Sequence, residues 1–121
     1  MSKTNSVRLI GIFGQDPKTH TTEAGILISS FSFATHEKRK NASEQWVEST
    51  DWHNVVAFGK VAQLVSTHMK KGAKCSIDGR IQTRQYIDKD SNTRYVTEIV
   101  LEEILFLSPA PNSQGTTNPA H

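Results

Sequence analysis

Aromatic rings interleaved with cations define the chemistry open to this chain of 121 residues. Residues 50–60 read as a strand running into a turn. Alternation puts Trp52, Asn54, Val56 and Phe58 on one side of it, and His53, Val55 and Ala57 on the other. One side must serve a core, and alternation does not choose between them. Further along, Tyr86 shares strand parity with Arg80, Gln82 and Arg84, so one polar face carries a ring and two guanidinium groups. Lys60 and the run Lys38-Arg39-Lys40 add charge, and Trp46 follows on the return arm of the same excursion. Rings stack on flat, unpaired bases, and Lys and Arg meet phosphates. The set therefore suits a single-stranded nucleic acid. Read without such a ligand, Trp52 and Phe58 are core aromatics and Tyr86 belongs to a solvated hairpin face.

Covalent and metal chemistry find no constellation. Asp51 and His53 share a face, but no nucleophile accompanies them. Gly59-Lys60 is not a phosphate-binding loop, since Asn54 holds the upstream glycine position and Val61 replaces the Ser or Thr. His20, His36, His53, His68 and His121 lack metal-ligand spacing. Cys75 is the only cysteine, so it forms no internal disulfide; its parity with Ile77 and Ile81 makes it a small core hydrophobe. No catalytic residue, cofactor or metal is expected. Net charge is only +2, a weak sign of polyanion binding. No apolar run approaches membrane-spanning length, and the start shows no signal-peptide pattern, so a soluble intracellular protein with no membrane partner is expected.

The elements that must position these side chains are short. Residues 7–13 are a first strand closed by Gly14 and Asp16-Pro17, and 20–23 read as a polar loop. Residues 25–35 are a second strand with Leu27, Ser29, Phe31 and Phe33 on one face. Residues 36–49 form a long hairpin excursion into the third strand. Val61, Leu64, Val65, His68 and Met69 then take helical spacing, with Lys70-Lys71-Gly72 as a C-terminal stop and Gly72 as the left-handed cap. A strand from Cys75 to Arg84 carries Gly79 as a bulge or bend, 88–92 turn, and 94–107 are a last strand. Pattern alone gives a small β-barrel with one helix. Residues 108–121 hold three of the four prolines and no charge, and are expected to be a disordered tail after a domain of residues 1–107.

The block 50–60, opening Thr50-Asp51-Trp52-His53 and closing Phe58-Gly59-Lys60, resembles the signature of bacterial and mitochondrial single-stranded-DNA-binding proteins. Asn5 to Gly11, Gly14 to Pro17, Phe31 to Thr35, Lys70-Lys71-Gly72, Gly79 to Arg84, Arg94 to Glu98 and Leu105-Phe106-Leu107 match in order and spacing. The resemblance covers residues 5–107. It implies an all-β fold: a five-stranded OB-fold barrel with one α-helix between strands three and four. It implies a homotetramer that protects single-stranded DNA in replication, recombination and repair, cytoplasmic and associated with the nucleoid. Trp52, Phe58 and Tyr86 take the family's base-stacking positions, the last usually Trp. Another stacking Trp, expected shortly after Ala34-Thr35, is missing; Arg39 or Trp46 can replace it, and Trp46 reads equally well as a cross-strand brace of its hairpin. His53 falls near a subunit interface, where its protonation would make assembly pH-sensitive. Well-known members end in an acidic tip that recruits other proteins; no acidic residue follows Glu103, so that recruitment is not expected. Two other functions fit the barrel: a dimeric primosome-type adaptor in replication restart, and a protein-interaction OB domain with Trp52 buried.

Overall fold

The structure, a computed structural model, describes residues 4–108. Its elements run β1 (Val7–Phe13), β2 (Lys18–Thr21), β3 (Leu27–Lys40), β4 (Trp46–Phe58), α1 (Gly59–His68), β5 (Lys74–Ile87) and β6 (Thr93–Ser108). Five strands close on themselves. β1 pairs with β5, β5 with β6, β6 with β4, β4 with β3, and β3 returns to β1 through Ile12↔Ala34 and Phe13↔Phe33. The β4–β6 contact is parallel and the others are antiparallel. The expected OB barrel is present, with its helix between the third and fourth barrel strands, here β4 and β5.

Closure decides the choice that alternation left open. Val55 and Ala57 line the interior with Phe13, Phe31, Phe33, Cys75, Ile77, Ile99 and Leu101, all buried. Phe13 stacks on Phe31 at 4.1 Å between centroids, and Phe33 meets both edge-on. Trp52 and Phe58 therefore leave β4 on its outer side. α1 buries Ala62 and Val65 in the same core. Its N-cap position, Phe58, makes no side-chain cap hydrogen bond.

Three expectations change. Residues 20–23 are not all loop: His20 and Thr21 belong to β2, which pairs along β3 from Thr21↔Leu27 to Lys18↔Ser30. All four β2 residues are exposed, so no apolar alternation marked the strand. Gly72 does not cap the helix. α1 ends at His68, Met69 is already extended, and Gly72 uses its φ of +92° in the following turn, where its N–H donates to Phe13 O. The long hairpin expected over 36–49 is present, and its arms are regular strand, paired without a break from His36↔Thr50 to Lys40↔Trp46. The last strand runs through Ser108, and residues 109–121, where the tail was expected, lie outside the described residues. Gly79 does sit at an irregularity: the β5–β6 register shifts between Asp78 and Gly79.

Candidate nucleic-acid interface

Residues directly opposite across a ladder share a face, so the register assigns every candidate to a side. On the β3–β4 ribbon the pairs Ile28↔Phe58, Ala34↔Trp52, His36↔Thr50, Lys38↔Glu48 and Lys40↔Trp46 all face outward. The parallel pair Val56↔Val100 carries that side across to β6, and Arg80↔Val100, Gln82↔Glu98, Arg84↔Val96 and Tyr86↔Arg94 carry it to β5. Trp46, Trp52, Phe58, Tyr86, Lys38, Lys40, Arg80 and Arg84 thus project from one outer surface spanning four adjacent strands. Val56, Val100 and Glu98 also point outward, yet they are buried. This stretch of surface is the floor of a groove, with the two long hairpins as its banks.

The rings on this surface are open to solvent. Relative exposure is 63% for Trp52, 43% for Phe58, 45% for Tyr86 and 66% for Trp46. Trp52 is supported from beneath. A Cβ placed on Gly14 would come within 2.3 Å of Trp52 Cζ3, so only a bare backbone lets the indole lie where it does. Ala34, its cross-strand partner, is buried. Lys40 Nζ lies 5.6 Å from the Trp46 ring centroid, a cation–π contact between direct cross-strand partners.

The cations are not equivalent. The run 38–40 splits: Lys38 and Lys40 face outward with the rings, whereas Arg39, opposite Val47, faces the other way. Alternation alone contains that split. Arg84 Nε donates to Glu98 Oε2 at 2.9 Å, and Gln82 Nε2 donates to the same oxygen at 3.0 Å. Glu98 is 8% exposed, while the Arg84 side chain keeps 53% of its surface in solvent. The carboxylate fixes the guanidinium beside the groove and leaves the rest of it open to solvent. Arg80 has a looser partner, Glu102 at 3.7 Å. Arg94 is held by Asp88 of the β5–β6 turn at 2.8 Å, and with the turn amides of Asn92 and Asp90 it keeps that carboxyl below its usual range. Lys60 stands exposed in the first turn of α1, two residues past Phe58.

His53 belongs to the inner side of β4, half-buried, with Nε2 sharing a hydrogen bond of 2.9 Å with Thr35 Oγ1. Asp51 is exposed, and no hydrogen bond joins it to His53 among the described residues. Among the described residues no group of three His, Cys, Asp or Glu could hold a metal ion. No helix among them is long and apolar enough to cross a membrane. Two participants escaped sequence reasoning. Gly14 signalled only a turn, and Glu98 only an acidic residue in a strand; each acts on a residue far away in the chain.

Residues 4–107 match the model of the single-strand binding protein family. The chain is 38% identical over 118 residues to single-stranded DNA-binding protein 1 of Chlorobaculum tepidum, covering 97% of this chain and 73% of that protein. It is 36% identical over 117 residues to the single-stranded DNA-binding protein of Bacteroides thetaiotaomicron, covering 95% and 73%. Among solved structures, the Plasmodium falciparum SSB in complex with ssDNA superposes with a TM-score of 0.79 at 26% identity, covering 89% of this chain and 98% of that one.

Proposed function

The chain belongs to the single-strand binding protein family, and on that premise we propose that it binds single-stranded DNA with little regard to sequence, shielding it during replication, recombination and repair. The observation that carries the reading is the outward groove surface, where Trp52, Phe58 and Tyr86 stand exposed among cations. Stacking suits such a ligand because every base offers a π face, at roughly 1–3 kcal/mol per stacked base. Trp52, Phe58 and Tyr86 stack bases. Lys38, Lys40, Lys60, Arg80 and Arg84 meet phosphates. Arg39 meets them only where the strand wraps to the far side of its hairpin. The activity is binding, with no covalent step and no cofactor, and its setting is the cytoplasm at the nucleoid. The ligand is single-stranded because the rings need bases free of a partner.

Assembly is part of the proposal. One barrel offers a short track, and a homotetramer gives a longer strand several tracks to follow, with His53 at the subunit interface. Light scattering is expected to give a mass near four times 13.5 kDa. The exposed Trp52 speaks against a protein-interaction barrel, which would bury it.

Tryptophan emission during titration with oligo(dT), with duplex DNA as control and high salt as competitor, tests the reading. Strong quenching by the single strand alone, weakened by salt, is expected. Salt-sensitive binding without quenching would replace it with a weakly binding adaptor. No response at all would leave a protein-interaction domain.

A further inference from the structure

Trp46, Trp52 and Phe58 recur every six residues along β4, so all three leave the strand on its outward side. At a rise of about 3.4 Å per residue, each interval is about 20 Å of strand. Trp46 marks the outer end of this ladder, on the hairpin arm beyond the barrel. It is the most exposed ring of the three. Lys40 approaches it within 5.6 Å of the ring centroid. An ammonium covers one face of an indole and leaves the other free. Lys38, Val47 and Glu48 join Trp46 around an open cavity of about 540 Å³, which has room for a planar base.

We propose that Trp46 is a base-stacking subsite, with Lys40 behind its ring, so that the bound strand follows β4 out of the barrel and onto the hairpin. This rests on the single-stranded DNA reading above. Lys40 acts twice in it: its charge holds the ring by cation–π attraction, and it lies within reach of the phosphate beside the stacked base. The β3 arm of this hairpin carries no aromatic after Phe33. The cross-strand register supplies one from the β4 arm on the same outward side. A ring at position 47 would face away, so the parity of Trp46 is what makes it part of the track.

The two tryptophans can be read separately. Trp52→Phe leaves Trp46 as the only indole, and Trp46→Phe leaves Trp52. Anisotropy of a labelled oligo(dT) of about 16 nucleotides establishes that each variant is bound, and emission is then followed with unlabelled oligomer. In Trp52→Phe, Trp46 emission is expected to be quenched by the single strand and unchanged by duplex. Trp46→Ala is expected to weaken affinity by roughly 5- to 150-fold, with Trp46→Phe recovering most of it. Unchanged Trp46 emission in a complex that anisotropy shows to have formed would overturn the subsite and make Trp46 a hairpin brace. So would Trp46→Ala binding as tightly as the parent. A parent chain giving no anisotropy change would instead overturn the single-stranded DNA reading, and the subsite with it.

Discussion

Gly14 illustrates what a single residue contributes without touching DNA. Its missing side chain is the space that the Trp52 ring occupies. A methyl group at 2.3 Å from Cζ3 cannot coexist with that ring, so Gly14→Ala must move the indole. Trp52 is mostly exposed, and its displacement leaves the core intact. The variant is expected to keep its far-UV circular dichroism and to lie within about 0.5 kcal/mol of the parent in stability, the range of most surface changes. Its affinity for oligo(dT) should fall about tenfold, the loss of one poorly seated stacking contact. Parent-like affinity with parent-like Trp52 emission would show that the ring does not depend on this support. Alanine at Gly25, which has open space around it but a φ of +86°, is the control that strains backbone without reaching Trp52.

The β3–β4 hairpin shows how an element sorts residues that the sequence lists together. Lys38 and Lys40 share the outward side with Trp46 and Trp52, and Arg39 does not. Each phosphate neutralised on a single strand contributes about −0.7 to the slope of log K against log salt. Lys38→Ala and Lys40→Ala are each expected to flatten that slope by about 0.7, and Arg39→Ala by much less. Equal slopes for all three variants would mean that the strand wraps both sides of the hairpin. This element also marks where sequence reading stops. Alternation in 50–60 gave the two sides of β4 but not their destinations, because the interior is set by ladders to β3 and β6. β2 was invisible, being four polar, exposed residues whose partners lie in β3. The split of residues 38–40 was available from parity once the strand was known to continue that far. Glu98 under Arg84 and Gly14 under Trp52 were not available, because both are contacts between distant stretches of chain.

At the scale of the whole molecule, Cys75 is a built-in reporter of opening. It lies in the barrel core, fully buried, with its thiol donating to Met69 Sδ at 3.4 Å. Burial pushes its pKa up to about 11 from 9.0. The folded state therefore holds the neutral thiol more tightly than the unfolded chain does. That preference is fully present below pH 9.0 and is lost as the pH rises through about 11. Unfolding midpoints should thus hold steady near neutrality and drop in this alkaline window, and Cys75→Ser should remove that part of the drop. Near neutrality the thiolate is scarce and enclosed, so a thiol reagent can modify Cys75 only when the barrel opens. A ligand that binds only the folded chain makes such openings rarer. At a free concentration one hundred times Kd it adds about 2.7 kcal/mol of stability. Oligo(dT) at that level is expected to slow Cys75 modification about hundredfold, and duplex DNA to leave the rate unchanged. Because the outward groove and the core are opposite sides of the same strands, a ligand on one must report on the other. Modification at the free-chain rate in saturating oligo(dT) would place the thiol on a local opening that the bound strand does not hold closed.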